Sequence, residues 1–338
     1  MFVQTNHAIS SITSAHSISS IDVRAHREQR TRARRGLALF SLLLLPLSAL
    51  CYWLIIARHN AAGTFFLMWT PGFAALVARL VQREQFPALS HHLNWRRVGQ
   101  ALGIALVTPF AIGLLAYGTA WRAGATPLTY FHASATIASF LPWIGANPSL
   151  LALAGFVFLI ACSEIISATG EELGWRGYML GHLIDAEVPQ PIFVSGLIWS
   201  LWHWPLILLS SSTNGLPQLV TASIFLVTIT SLGCVSAHLK LTSGSLWPSI
   251  LLHAAWNGFI LEIFDAFTKS ADTSIWIGET GLLVALITML AAFIITNASF
   301  HARSVAALHL EAFRNVPQFT RDMLSPATHL PPARKHHI

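Results

Sequence analysis

Charged residues are scarce in this chain of 338 residues. Asp, Glu, Lys and Arg make up 10% of the sequence, whereas 54% is hydrophobic and the mean hydropathy is +0.59. A soluble globular chain carries about 25% charged residues. The composition therefore excludes an ordinary soluble domain and predicts a membrane protein.

Cysteine is also rare, and the three cysteines lie far apart within apolar runs: Cys51, Cys162 and Cys234. This spacing contains no CxxC pair and no disulfide framework, so we interpret the cysteines as buried thiols.

Internal repeats and broken helices, which would favour a transporter, are not visible. The formal net charge is +6, but Lys and Arg are concentrated in the tails and in particular loops. This distribution indicates membrane topology and argues against nucleic acid as a partner.

The sequence is rich in apolar runs of about twenty residues, the length that crosses a bilayer as a helix. These runs predict an all-α, polytopic membrane bundle of about eight transmembrane helices, with the lipid bilayer as its surroundings. The predicted spans are 36–57, 63–80, 99–118, 150–168, 191–209, 219–237, 246–264 and 275–296. We expect the aromatic segment 127–145 to form an interfacial loop, because it contains two prolines and a histidine.

The charge bias predicts the orientation of the spans. If the N-terminus is cytoplasmic and the spans alternate, the outside segments receive only Arg58, Arg122 and Lys269. The positive-inside rule then predicts that both termini are cytoplasmic. The predicted segments are a basic, disordered cytoplasmic arm (1–35), N-terminal spans and a loop (36–149), a core (150–264), a last span (265–300) and a cytoplasmic tail (301–338). A transit peptide is the alternative for the Ser- and Arg-rich arm.

The most polar stretch of the apolar region follows directly on the fourth predicted span. It contains Glu171, Glu172 and Arg176, and each charge at such a depth costs several kcal/mol. Glu172 and Arg176 are four residues apart, so they share a helix face and can form an ion pair. Glu171 points about 100° away and is left free to act in chemistry. Four glycines at small-residue spacing also favour close helix packing: Gly170, Gly174, Gly177 and Gly181.

Two further polar clusters lie in later spans. His203 lies deep in the fifth span, and His253 and Asn257 share a face of the seventh. A lone histidine is usually a packed core residue, and asparagine commonly bonds between membrane helices. The coincidence of the clusters favours function, because groups this polar should converge on one interior cavity rather than face lipid. Two other acids lie in these spans: Glu164, near the helix face of Glu171, and Glu262, at the far end of the seventh span.

Carboxylate, imidazole and amide groups together can activate water and stabilise an oxyanion. The chain resembles the CPBP family of intramembrane proteases, which includes the type II CAAX prenyl endopeptidases and bacteriocin-processing relatives. Three motifs within residues 150–264 carry the resemblance: Glu171-Glu172-x-x-x-Arg176, Trp199-x-x-x-His203 and His253-x-x-x-Asn257. The second motif begins with Phe in the family, so this chain exchanges one aromatic ring for another.

The resemblance implies a role for each motif residue. Glu171 is implied as the general base, acting with His203 on the attacking water. His253 and Asn257 are implied as the pair that stabilises the oxyanion. Glu172 and Arg176 are implied as supporting residues. The implied reaction is endoproteolytic cleavage near the membrane, and in CAAX-type members it occurs three residues from the C-terminus, after a prenylated cysteine.

The implied partner is a membrane-tethered peptide or protein, and the sequence leaves its prenylation, the oligomeric state and the physiological role open. Family members have been treated both as metalloproteases and as metal-free glutamate proteases. Glu171, His203 and His253 could supply three zinc ligands, although the His-Glu-x-x-His spacing is absent. We favour no required metal, because no Asp lies near either histidine in sequence to act as a second-shell acceptor. The alternatives are a non-proteolytic immunity protein or scaffold on the same fold, and a transporter.

Overall fold

The computed structural model describes residues 5–60, 62–84, 94–129, 131, 149–209, 215–269 and 274–297, with side chains in the first helix from residue 23 onward. Every regular element within these residues is helical, apart from an isolated bridge between Leu128 and Thr268. Contacts divide the chain into units 1–292 and 293–338, and the site lies within the first.

The helices confirm the predicted all-α membrane bundle, with eight helical stretches in the described residues. They are α1 Thr5–Ile56, α2 Ala62–Gln82, α3 Trp95–Arg122, α4 Leu150–Asp185, α5 Pro191–Leu209, α6 Gln218–Ser243, α7 (247–266) and α8 Leu282–Asn297. The helix α7 runs as Trp247–Trp256 and continues through Asn257–Ile263 and Phe264–Ala266. Helices α1 to α6 are long and apolar enough to cross a membrane, so the protein is multi-pass.

Two boundaries differ from the sequence-based prediction. The arm 1–35 was expected to be disordered, but residues 23–35 continue α1 as helix. Arg30 and His26 in this stretch pair with Glu187 at 3.0 and 3.1 Å. The last helix begins at Leu282 rather than at residue 275, because Gly278 adopts a left-handed φ of 76° in the preceding turn. Most of the predicted loop (132–145) and the tail 301–338 lie outside the described residues.

One end of the bundle collects the first part of α1 and the C-terminal ends of α2 and α4. Arg32 of α1 donates to the carbonyl oxygen of Gln82 at 2.9 Å, and Gln29 donates to Asp185 at 3.2 Å. The relative directions of α1, α2 and α4 are therefore those that the topology prediction requires. Which membrane face this end meets stays a prediction.

Close packing of α4 against α2 positions the acidic stretch. A Cβ atom on Gly170 would lie 2.8 Å from a carbonyl oxygen of α2, and one on Gly174 would lie 2.4 Å from a side-chain carbon of Pro71. The predicted packing role is therefore confirmed for these two glycines. It is wrong for Gly181, which has open space around it, and Gly177 has only ordinary contacts.

Candidate active site

Glu172 lies at the centre of a fully buried charge network. Its Oε1 atom accepts hydrogen bonds from Nη1 of Arg176 at 2.8 Å and from Nδ1 of His253 at 3.1 Å. Its Oε2 atom accepts from the hydroxyl of Ser236 at 3.1 Å. The predicted Glu172–Arg176 ion pair is confirmed, and both side chains are 0% exposed. The Glu172 carboxylate is satisfied by three donors, whereas Nε and Nη2 of Arg176 have no hydrogen-bond partner among the described residues.

Glu171 has a different environment although it is the next residue. Its Oε2 atom accepts hydrogen bonds from the indole nitrogens of Trp175 at 3.0 Å and Trp199 at 2.6 Å. Its Oε1 atom is buried and has no hydrogen-bond partner among the described residues. A buried acceptor without a partner is costly, so a water molecule or a substrate group would be favoured at this oxygen.

The backbone changes to π-helical geometry beside two of the motifs. One π segment, Trp175–Met179, follows the acidic pair, and the amide of Leu180 donates to the carbonyl of Trp175. The other, Asn257–Ile263, begins at the motif asparagine in α7. Single π turns are rare and frequently occur at functional sites. A π turn changes the direction in which the following side chains point. The usual spacing of 3.6 residues per turn does not predict this change.

Trp199 links the three motifs. Its ring lies 4.2 Å from the guanidinium carbon of Arg176 and makes edge contacts with His253 at 5.0 Å and His203 at 6.0 Å. Space for the guanidinium comes from Gly233 in α6, where a Cβ atom would lie 3.0 Å from Nη2. The tryptophan in the second motif therefore contributes a hydrogen bond as well as an aromatic ring, because phenylalanine has no N–H to donate to Glu171.

Both histidines are oriented through Nδ1. His203 bonds the carbonyl oxygen of Trp199 at 3.0 Å, and His253 bonds the carboxylate of Glu172 at 3.1 Å. Carbonyl and carboxylate oxygens only accept, so Nδ1 is the donor in each ring. In the neutral tautomer each Nε2 then carries the lone pair, which is available to another partner.

Two further carboxylates support the site, and sequence reasoning undervalued both. Sequence spacing assigns Glu164 no role, but its Oε2 atom accepts a hydrogen bond from Nδ2 of Asn257 at 2.8 Å. Glu279 lies inside the predicted last span, where an acidic residue is itself an indication of function. In the structure it precedes α8, and its Oε1 atom accepts from the indole nitrogen of Trp256 at 2.6 Å. These contacts hold the motif-bearing part of α7 from two sides.

The structure thus brings Glu171, His203 and His253 around one indole ring, with Asn257 one turn beyond His253 on α7. That these four side chains line one cavity open to the cytoplasm stays a prediction.

The three candidate zinc ligands Glu171, His203 and His253 are not gathered into one metal-binding group in this arrangement. Within the described part of the chain, no three His, Cys, Asp or Glu side chains are grouped to hold a metal ion. The argument that the histidines lack second-shell acceptors is wrong, however, because both have one on Nδ1. For His253 the acceptor is the Glu172 carboxylate, which belongs to another helix and is distant in sequence.

Comparison with known proteins confirms the family resemblance of the core. The family described as Type II CAAX prenyl endopeptidase Rce1-like matches residues 152–259, a segment that contains all three motifs. A stretch of 49 residues, 14% of this chain, is 43% identical to CAAX prenyl protease 2 of Methanococcus maripaludis. The match spans 18% of that relative's length, so the similarity concerns a short segment rather than the whole protein.

Proposed function

We propose that this protein is an intramembrane endopeptidase that cleaves a membrane-tethered peptide or protein near the membrane surface, as CAAX-processing enzymes do. The observation that carries the proposal is the unpartnered Oε1 atom of Glu171, buried within the segment that matches the family. Two indole donors on Oε2 hold the Glu171 carboxylate in place, and Oε1 is available to accept a proton.

The depth of the site suits this function. Gly72 contacts Gly170 next to the acidic pair, and α2 continues ten residues further, to Gln82. At 1.5 Å per residue, the site lies about 15 Å below the end of α2. A scissile bond would therefore enter from the end of the bundle that carries the N-terminal arginines and reach the site below that end.

In the proposed mechanism, Oε1 of Glu171 and Nε2 of His203 bind the attacking water and remove its proton. The water oxygen bonds to the scissile carbonyl carbon, and the carbonyl oxygen becomes an oxyanion. The C–N bond then breaks, and the proton held by the Glu171–His203 pair passes to the leaving nitrogen. Water and peptide are thereby converted to a carboxylic acid and an amine.

The oxyanion is stabilised from α7. Asn257 uses one N–H on Glu164 and keeps a second N–H for the developing charge. His253 can donate from Nε2 when it is protonated, and the Glu172 carboxylate on Nδ1 stabilises that positive charge. Two donors preorganised on one helix fit the electrostatic requirement of acyl transfer.

The proposal is tested with purified full-length protein and a panel of membrane-tethered peptides, with and without a prenylated cysteine. We expect cleavage that survives dialysis against a chelator, because the proposed chemistry uses protein groups alone. Metal content is measured on the same samples. Cleavage that disappears with loss of stoichiometric zinc and returns on adding zinc would overturn the metal-free mechanism. Absence of cleavage across the panel would favour the scaffold alternative.

Trp199→Phe introduces the residue found at this position in the family motif and removes one donor to Glu171. A hydrogen bond to a charged group contributes about 1.5–3 kcal/mol, so we expect kcat to fall by roughly 10- to 100-fold. The matched control is Trp121→Phe in α3, where the indole donates to the hydroxyl of Thr268 at 3.0 Å. The control should lose stability without a comparable loss of kcat, and equal kcat values for both variants and wild type would contradict the role of Trp199.

A further inference from the structure

A groove of about 1000 Å³ lies between the first part of α1 and the end of α2, at the end of the bundle described above. We call it the basic groove, because four of its nine lining residues are arginines: Arg27, Arg32, Arg35 and Arg83. One lining residue, Glu28, is acidic. The groove is separate from the proposed active site and lies about 15 Å above it along α2.

The charge in the basic groove is largely uncompensated. Within the described residues, no ion pair joins Arg27, Arg35 or Arg83 to a carboxylate, whereas Arg30 nearby pairs with Glu187 at 3.0 Å. Arg32 donates to a carbonyl oxygen of α2, which fixes one wall. The groove therefore presents cations that an anion could neutralise.

Arg83 occupies a backbone conformation that is unfavourable for its residue type. It follows the last residue of α2 with a φ of 52°, in the left-handed region where glycine is the usual choice. That region is less favourable for a residue with a Cβ atom than for glycine. The Arg83 side chain lines the groove. His59, Glu187 and Gln190 occupy the same backbone region, so the argument for Arg83 rests on its charge and its place in the groove.

The apolar walls of the basic groove indicate the type of anion. Leu39 and Val81 line it beside the arginines, and Val81 is 63% exposed. The apolar part of α1 begins at about residue 36, so the arginines lie near the level at which lipid headgroups meet the acyl region. A soluble phosphate would use only the cations, whereas a phospholipid would use both the cations and the apolar walls.

We propose that the basic groove binds the phosphate headgroup of an anionic phospholipid from the surrounding leaflet, with the acyl chains lying along Leu39 and Val81. Arg27, Arg35 and Arg83 supply the charge, and Arg32 holds α1 against α2. This site is independent of the proposed proteolysis, since none of its residues belongs to the active site.

The test is a lipid titration of the detergent-solubilised full-length protein, with bound lipid counted by native mass spectrometry. Phosphatidylglycerol should bind, and phosphatidylcholine should bind far more weakly. The triple variant Arg27→Gln/Arg35→Gln/Arg83→Gln should bind phosphatidylglycerol on the order of 100-fold more weakly, because each cation near the surface contributes about a factor of five. The corresponding triple Arg→Lys variant keeps the charge and should retain binding, which also shows that substitution at these positions permits folding.

The matched control is Arg34→Gln/Arg96→Gln/Arg97→Gln, which removes the same charge from exposed positions on the same predicted side of the membrane. This control should bind phosphatidylglycerol like the wild type. Equal binding by wild type and the groove variant, or an equal loss in the control, would overturn the proposal. Displacement of the lipid by millimolar inorganic phosphate would show a phosphate site rather than a lipid site.

Discussion

Glu171→Gln is expected to abolish peptide cleavage while the protein remains folded. The glutamine carbonyl oxygen can accept the hydrogen bonds of Trp175 and Trp199, as Oε2 of the glutamate does. Its amide nitrogen then replaces the Oε1 atom, which has no protein partner in the described structure. The substitution keeps the shape of the side chain but removes the general base. We therefore expect the cleavage rate to fall by about 10²- to 10⁴-fold.

The measurement is cleavage of membrane-tethered peptides by purified wild-type and variant protein, together with their thermal unfolding. Glu262→Gln is the control, since it makes the same isosteric change in a carboxylate of α7 that has no assigned role. We expect this control to keep most of the activity. Unchanged cleavage by Glu171→Gln would exclude Glu171 as the general base, whatever the stability of the variant.

The sequence was sufficient to predict the parts of the fold and site that depend on local rules. Span lengths follow from bilayer thickness, and the predicted span 191–209 coincides with Pro191–Leu209. The Glu172–Arg176 pair follows from helical spacing, because residues four apart are neighbours in any α-helix. The motif spacing was likewise enough to identify the family that matches residues 152–259.

The remaining features depend on contacts between distant segments. The bond from Trp199 to Glu171 joins residues 28 positions apart and requires α5 to pack beside α4. The α1 extension contacts Glu187, which lies more than 150 residues away in sequence. The π turns have no hydrophobic period of their own, so no sequence pattern predicts them.

Glu172→Gln is expected to destabilise the protein, in contrast to the same change at the neighbouring residue. The substitution removes the charge that compensates Arg176, whose side chain is 0% exposed. Breaking a buried pair by neutralising one partner costs about 3–5 kcal/mol, because the other charge is left uncompensated. His253 also loses the carboxylate on Nδ1, so activity should fall in whatever fraction remains folded.

The double variant Glu172→Gln/Arg176→Gln separates this explanation from simple misfit. Removing both charges leaves no stranded guanidinium, so the double variant should unfold at a higher temperature than Glu172→Gln alone. Thermal unfolding of wild type, both single variants and the double variant completes a double-mutant cycle. Independent, additive effects of the two substitutions would contradict the buried ion pair as the source of stability. With coupling present, the two adjacent glutamates have distinct roles: Glu172 stabilises the packing of α4 with α6 and α7, and Glu171 remains available for the reaction.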